Sequence, residues 1–78
     1  MSDGVVSRFG EAPDQTPIGL VGTVVTATRG QDGPGEVEFS IRGGTEVFIA
    51  RSEEPLPVGS TVLCVDVLGA RSIVVAPW

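Results

Sequence analysis

The sequence predicts an all-β protein, a small five-stranded antiparallel barrel. Three observations carry that reading. The apolar residues, 41% of the 78, are more often valine than any other type, and β-branched side chains at that density favour a pleated surface over a helix. Glycine recurs at short intervals and divides the apolar stretches into segments of strand length. No apolar period of 3.6 residues runs beyond about two turns.

Residues 1–17 mix glycine, proline, serine and acids, with Val5, Val6 and Phe9 as apolar anchors. They read as a disordered or loosely docked arm ahead of a barrel domain at residues 18–78. In the first strand, residues 20–27, apolar side chains fall on both parities, Leu20 and Val24 against Val21 and Val25, as suits a strand covered on both sides over part of its length. Gly22 within it predicts a bulge or bend that curls the sheet. Residues 28–34 are rich in turn formers and read as a loop. Residues 35–41 then alternate, with Val37, Phe39 and Ile41 on a buried face and Glu36, Glu38 and Ser40 on a wet one. Arg42, Gly43 and Gly44 supply a tight hairpin, and the chain returns through residues 45–50. There Val47 and Ile49 are expected to continue the buried face, which turns Phe48 outward between Glu46 and Ala50.

Two prolines and a glycine make residues 51–59 a crossing connection, too broken for a full helix. Residues 60–68 are apolar on both faces except at Asp66, as expected of a long strand shared between two parts of a barrel. A turn at residues 68–71 leads to the last strand, 71–76, which Pro77 ends because it has no amide hydrogen to donate. The expected core is Val37, Phe39, Ile41, Val47, Ile49, Leu63, Val65, Val67, Ile73 and Val75. Five strands, a bent first strand and a connection between the third and fourth suit a Greek-key barrel that is OB-fold-like. The rival SH3-like barrel usually lines a long loop with aromatics, and this chain has no tyrosine.

A chain this short makes one domain with a thin core, burying only about 60% of the surface its unfolded form exposes. It contains no histidine, no tyrosine and no lysine, its five cations all being arginines. Most acid–base, nucleophilic and metal chemistry therefore lacks a central residue, and the expectation is a protein that is not an enzyme and holds no cofactor or metal. Serines and threonines have no activating base. Cys64, in the middle of an apolar strand, reads as an inert small hydrophobe, and as the only cysteine it cannot form an internal disulfide. Lipoyl- and biotin-carrier domains attach their cofactor to a lysine, so that class is excluded. Asp32, Glu36, Glu38, Glu53 and Glu54 offer oxygen ligands, but Glu36 and Glu38 are most simply a solvated strand face and no loop has calcium-loop spacing. Asp66 is expected to face solvent or to accept a turn hydrogen bond.

Barrels of the OB type often bind single-stranded nucleic acid through aromatics and cations on their second and third strands. Here Phe39, Phe48, Arg42 and Arg51 share those strands with Glu36, Glu38 and Glu46. The net charge of −5 also opposes contacts to phosphate. Nucleic-acid binding is thus the alternative, and docking on another protein the leading reading, with Phe48, Glu46 and Arg51 as candidate partner-binding residues. The competing reading of Phe48 is that the arm or a loop covers it. No stretch approaches the roughly 20 apolar residues of a membrane span, and residues 1–17 lack the apolar run of a signal peptide, so a cytoplasmic location is expected.

Several runs are characteristic in combination. They are Gly19-Leu20-Val21-Gly22-Thr23-Val24-Val25-Thr26, Pro34-Gly35-Glu36-Val37, Leu56-Pro57-Val58-Gly59-Ser60-Thr61-Val62, Val65-Asp66-Val67-Leu68-Gly69 and the closing Ser72-Ile73-Val74-Val75-Ala76-Pro77. Through them residues 19–77 resemble the soluble C-terminal domain of the NfeD family. The resemblance implies an OB-like barrel that in the family usually follows transmembrane helices and is commonly paired with stomatin- or flotillin-like membrane scaffold proteins. Long members also carry a serine protease domain. These 78 residues contain neither helices of that kind nor a protease domain. What the resemblance implies for this chain is a non-enzymatic interaction module that meets a membrane through such a partner, with no catalytic motif to carry over.

Overall fold

The computed structural model describes residues 17–41 and 43–78, so the arm expected at residues 1–17 lies outside it except for Pro17. The described residues form seven strands: β1 (Val21–Thr26), β2 (Thr28–Arg29), β3 (Gly35–Ile41), β4 (Gly44–Arg51), β5 (Pro55–Leu56), β6 (Thr61–Val67) and β7 (Ser72–Pro77). Five of them close a barrel in the order β1-β3-β4-β7-β6, while β2 and β5 pair as a separate two-stranded sheet. That order, with the last barrel strand inserted between the third and fourth, is the OB arrangement.

The barrel is not wholly antiparallel, as the sequence reading had it. β4 and β7 run parallel, with Ile49, Ala50 and Arg51 opposite Ser72, Ile73 and Val74. Geometry compels this, because strand direction cannot alternate all the way round a closed ring of five.

Alternation correctly places Val37 and Phe39 inside, and the turn that follows decides everything on β4. Ile41 pairs with Gly44, so only two residues span the hairpin, and Gly43 takes the left-handed backbone (φ 80°) that such a turn demands. Val37 then lies opposite Phe48, and Phe39 opposite Glu46. Opposed residues share a face, so Phe48 and Ala50 point into the barrel while Val47 and Ile49 point out, at 38% and 45% exposure. A three-residue turn through Gly44 would have put Val47 and Ile49 inside; the observed turn is one residue shorter, which flips the strand.

On β6 the expected set Leu63, Val65 and Val67 is likewise replaced, here by Val62 and Cys64. Cys64 lies opposite Val75, and the register shifts between Cys64 and Asp66. Val65 is therefore a bulge residue left on the outside, and Val67 faces Ile73 at the rim of the barrel. Ile73 and Val75 are buried as expected, and Ile41 packs against the core from its edge.

The irregularity in β1 falls at Val25, between paired Val24 and Thr26, and not at Gly22. Gly22 points inward for a different reason. A Cβ at that position would stand 2.7 Å from both the Glu38 carbonyl oxygen and the Phe39 ring, so the missing side chain is the seat of that ring.

Residues 28–34 are more ordered than a loop. Thr28 and Arg29 pair with Leu56 and Pro55, and a 3-10 turn follows at Gly30–Asp32. This small sheet buries Leu56 in the core cluster. A polar knot fixes it: the Thr28 and Ser52 hydroxyls lie 2.7 Å apart, Ser52 donates to the Glu54 carbonyl, and the Leu56 amide donates to Thr28 Oγ1 at 2.9 Å. Each buried hydroxyl thus has its partners.

Candidate functional site

The three residues that the sequence singled out for a partner do not form one patch. Phe48 is 6% exposed, and its ring meets the Phe39 ring edge-on, centroids 5.8 Å apart. A polar group covers it from one side. The Arg71 guanidinium lies 4.9 Å from the Phe48 centroid, donates to Glu46 Oε1 at 2.7 Å, and reaches the Val47 carbonyl at 3.2 Å. Glu46 and Arg71 together thus cover the edge of the core, a role that sequence reasoning assigned to neither. Arg51 is exposed on the opposite end of β4.

The outward side chains carry more information. Following the pairings across β1, β6 and β7, Val21 lies beside Leu63 and Leu63 beside Ala76, an apolar row across three adjoining strands. The neighbouring row runs from Arg51 through Val74 to Asp66, with the Val65 bulge between the two. Val21 is 43% and Val65 46% exposed, while Leu63, Val74 and Ala76 are half-buried. A strand that is apolar on both parities, as β1 and β6 are, has one face for the core and a second face for something else. That signal was present in the sequence, but without the register it could not say which residues form which face.

The β3 and β4 wall differs. There Glu36 lies beside Ile49 and Glu38 beside Val47, so each outward apolar residue has a carboxylate neighbour. Glu36 also accepts a hydrogen bond from Thr26 Oγ1 at 2.7 Å.

Little of this can act as an acid, base or nucleophile. Cys64 is buried, and burial pushes its thiol above the ordinary range, with the Asp66 charge acting the same way. The thiol donates to the Asp66 carbonyl at 3.4 Å, and the Asp66 carboxylate accepts the Val67 amide at 2.8 Å. Among the described residues no three acidic, cysteine or histidine side chains converge as a metal site. No helix among them is long and apolar enough to cross a membrane.

Comparison with known proteins fits this architecture. Residues 21–76 match the family model of the NfeD C-terminal domain. Among solved structures the chain is similar to the C-terminal domain of stomatin operon partner protein 1510-C from Pyrococcus horikoshii, at 30% identity and a TM-score of 0.60, over 80% of this chain and 88% of that one. It is also similar to the soluble domain of the NfeD protein YuaF from Bacillus subtilis, at 37% identity and a TM-score of 0.61, over 73% of this chain and 68% of that one. A comparison with the curated proteins finds no match.

Proposed function

The chain belongs to the NfeD C-terminal domain family, and from that premise we propose that it is a non-enzymatic interaction module that docks on a stomatin- or flotillin-like membrane scaffold protein. The observation that carries the reading is the apolar row Val21, Leu63 and Ala76 on the outside of three adjoining strands. An exposed apolar face rimmed by charge is the usual form of a protein contact. The name of the Pyrococcus relative, a stomatin operon partner, supports the choice of partner. Arg51 extends this wall through Val74, and Glu46 stands at the rim already held by Arg71. Phe48, being inside, contributes by seating Arg71. The module sits at the cytoplasmic face of the membrane that its partner occupies.

Nucleic-acid binding has less support. Phe39 and Phe48 pack edge-on against each other inside the barrel, and the outer wall they leave on β3 presents Glu36 and Glu38.

The test is a binding titration of the full chain with a stomatin-like protein encoded beside it. Val21→Asp and Val65→Asp change exposed side chains and leave the core alone, so both variants stay folded. Each is expected to weaken the complex at least about tenfold, the cost of placing a charge in an apolar contact. Absence of a complex with the wild type refutes the reading.

A further inference from the structure

Outside β7 an open groove runs between that strand and the segment that leaves β4. One part, about 260 Å³, has Val65, Val74 and Ala76 in its floor and Glu53 and Glu54 on its rim. The other, about 340 Å³, passes over Val74 to Arg51 and Gln31, sharing Glu53 with the first. Asp66 lies across the strand pair from Val74 and adds a third carboxylate on the far side. Within the described residues the charged groups of Glu53, Glu54 and Arg51 take part in no ion pair or hydrogen bond, in contrast to those of Glu46 and Arg71. The floor is apolar, and among the described residues its rim charges have no ion-pair partner.

We propose that this groove binds a basic amphipathic polypeptide segment, in which an apolar side chain sits over Val74 between lysines or arginines that meet Glu53, Glu54 and Asp66. Charge complementarity selects the occupant: three carboxylates border the floor against one cation, on a chain whose net charge is −5. Arg51 at the far end sets the direction, because it favours the end of the segment that carries a carboxylate. The inference rests on the interaction-module reading and gives it a site and a partner chemistry.

The probe is a synthetic peptide of alternating leucine and lysine, titrated into the isotope-labelled full chain at low salt, with an alternating leucine and glutamate peptide as its counterpart. Saturable amide shifts are expected at residues 51–54, 65–66 and 74–76, with the lysine peptide at least about tenfold tighter and weakening as salt rises. The exposed double variant Glu53→Arg/Glu54→Arg should reverse the preference. Shifts centred on β3 and β4, equal affinity for both peptides, or a preference untouched by the double variant would each overturn the proposal. The same variant, titrated with the stomatin-like protein, separates the two readings. If that partner binds variant and wild type alike and no peptide shifts appear, the groove fails while the module stands. If the lysine peptide fills the groove and no stomatin-like partner binds, the groove stands and the choice of partner fails.

Discussion

Phe48 and Ile49 are adjacent in sequence and opposite in consequence. Phe48 packs edge-on against Phe39 and is sealed by Arg71, whereas Ile49 stands outside beside Glu36 and Ser72. Truncating a buried phenylalanine costs roughly 3–5 kcal/mol, most of the stability of so small a domain, whereas truncating an exposed aliphatic residue costs within about 0.5 kcal/mol. Urea unfolding should therefore find Phe48→Ala largely unfolded and Ile49→Ala close to wild type; the reverse result would mean that β4 faces the other way. Cys64 supports a second expectation at this scale. Burial raises its folded pKa above that of the unfolded thiol, so folding favours the protonated form. The resulting stability is complete below the ordinary thiol value of about 8.5 and is lost as pH rises through the folded value. With no lysine or tyrosine in the chain, Cys64 is the one side chain that titrates in that alkaline window. Cys64→Ala, although less stable overall, should show a flatter profile there.

Single elements show where sequence reading succeeds and where it stops. β3 was legible because Val37, Phe39 and Ile41 alternate strictly with polar residues, leaving one choice of face. β4 was not, because Arg42, Gly43 and Gly44 suit a turn of two residues as well as three, and one residue of register exchanges Phe48 for Val47 and Ile49. The same ambiguity hid the apolar wall: β6 is apolar on both parities, and only its pairing with β7 and the bulge at Val65 sort core from surface. The partner residues expected from the sequence suffered accordingly, since the case for Phe48 depended on the wrong face. The sheet of β2 and β5 looks like loop in the sequence because its strands are two residues each, too short to show a period. Its stability comes from side chains, which makes it testable. Thr28→Val keeps the shape but removes the oxygen that accepts the Leu56 amide, and a buried unpaired donor costs about 1–3 kcal/mol. Hydrogen exchange at the Leu56 amide should accelerate correspondingly, and an unchanged rate would show that the hydroxyl is dispensable. In the hairpin, Gly43→Ala forces a left-handed conformation on an L side chain, with an expected loss of about 1–2 kcal/mol by urea unfolding.

At the scale of the whole molecule, closure of the barrel removes the pairing edges that an open sheet of the same five strands would present, which favours side chains on the wall over strand addition to the barrel as the means of contact. Those walls are unequal. The β1, β6 and β7 side is apolar, while the β3 side carries Glu36 and Glu38, and the chain as a whole carries a charge of −5. Nucleic-acid affinity in a barrel of this type requires cations along the backbone path and aromatic faces for the bases. Both phenylalanines of β3 and β4 spend their faces on each other and on the core. Labelled single-stranded oligonucleotides titrated at low salt, the condition that most favours phosphate contacts, should therefore show no saturable binding. Micromolar binding that weakens steeply with added salt would overturn this expectation, and the nucleic-acid reading would then replace the protein-docking one. A null result at low salt, where electrostatic attraction is least screened, removes the nucleic-acid reading and leaves the proposed protein contact on the apolar wall as the one to pursue.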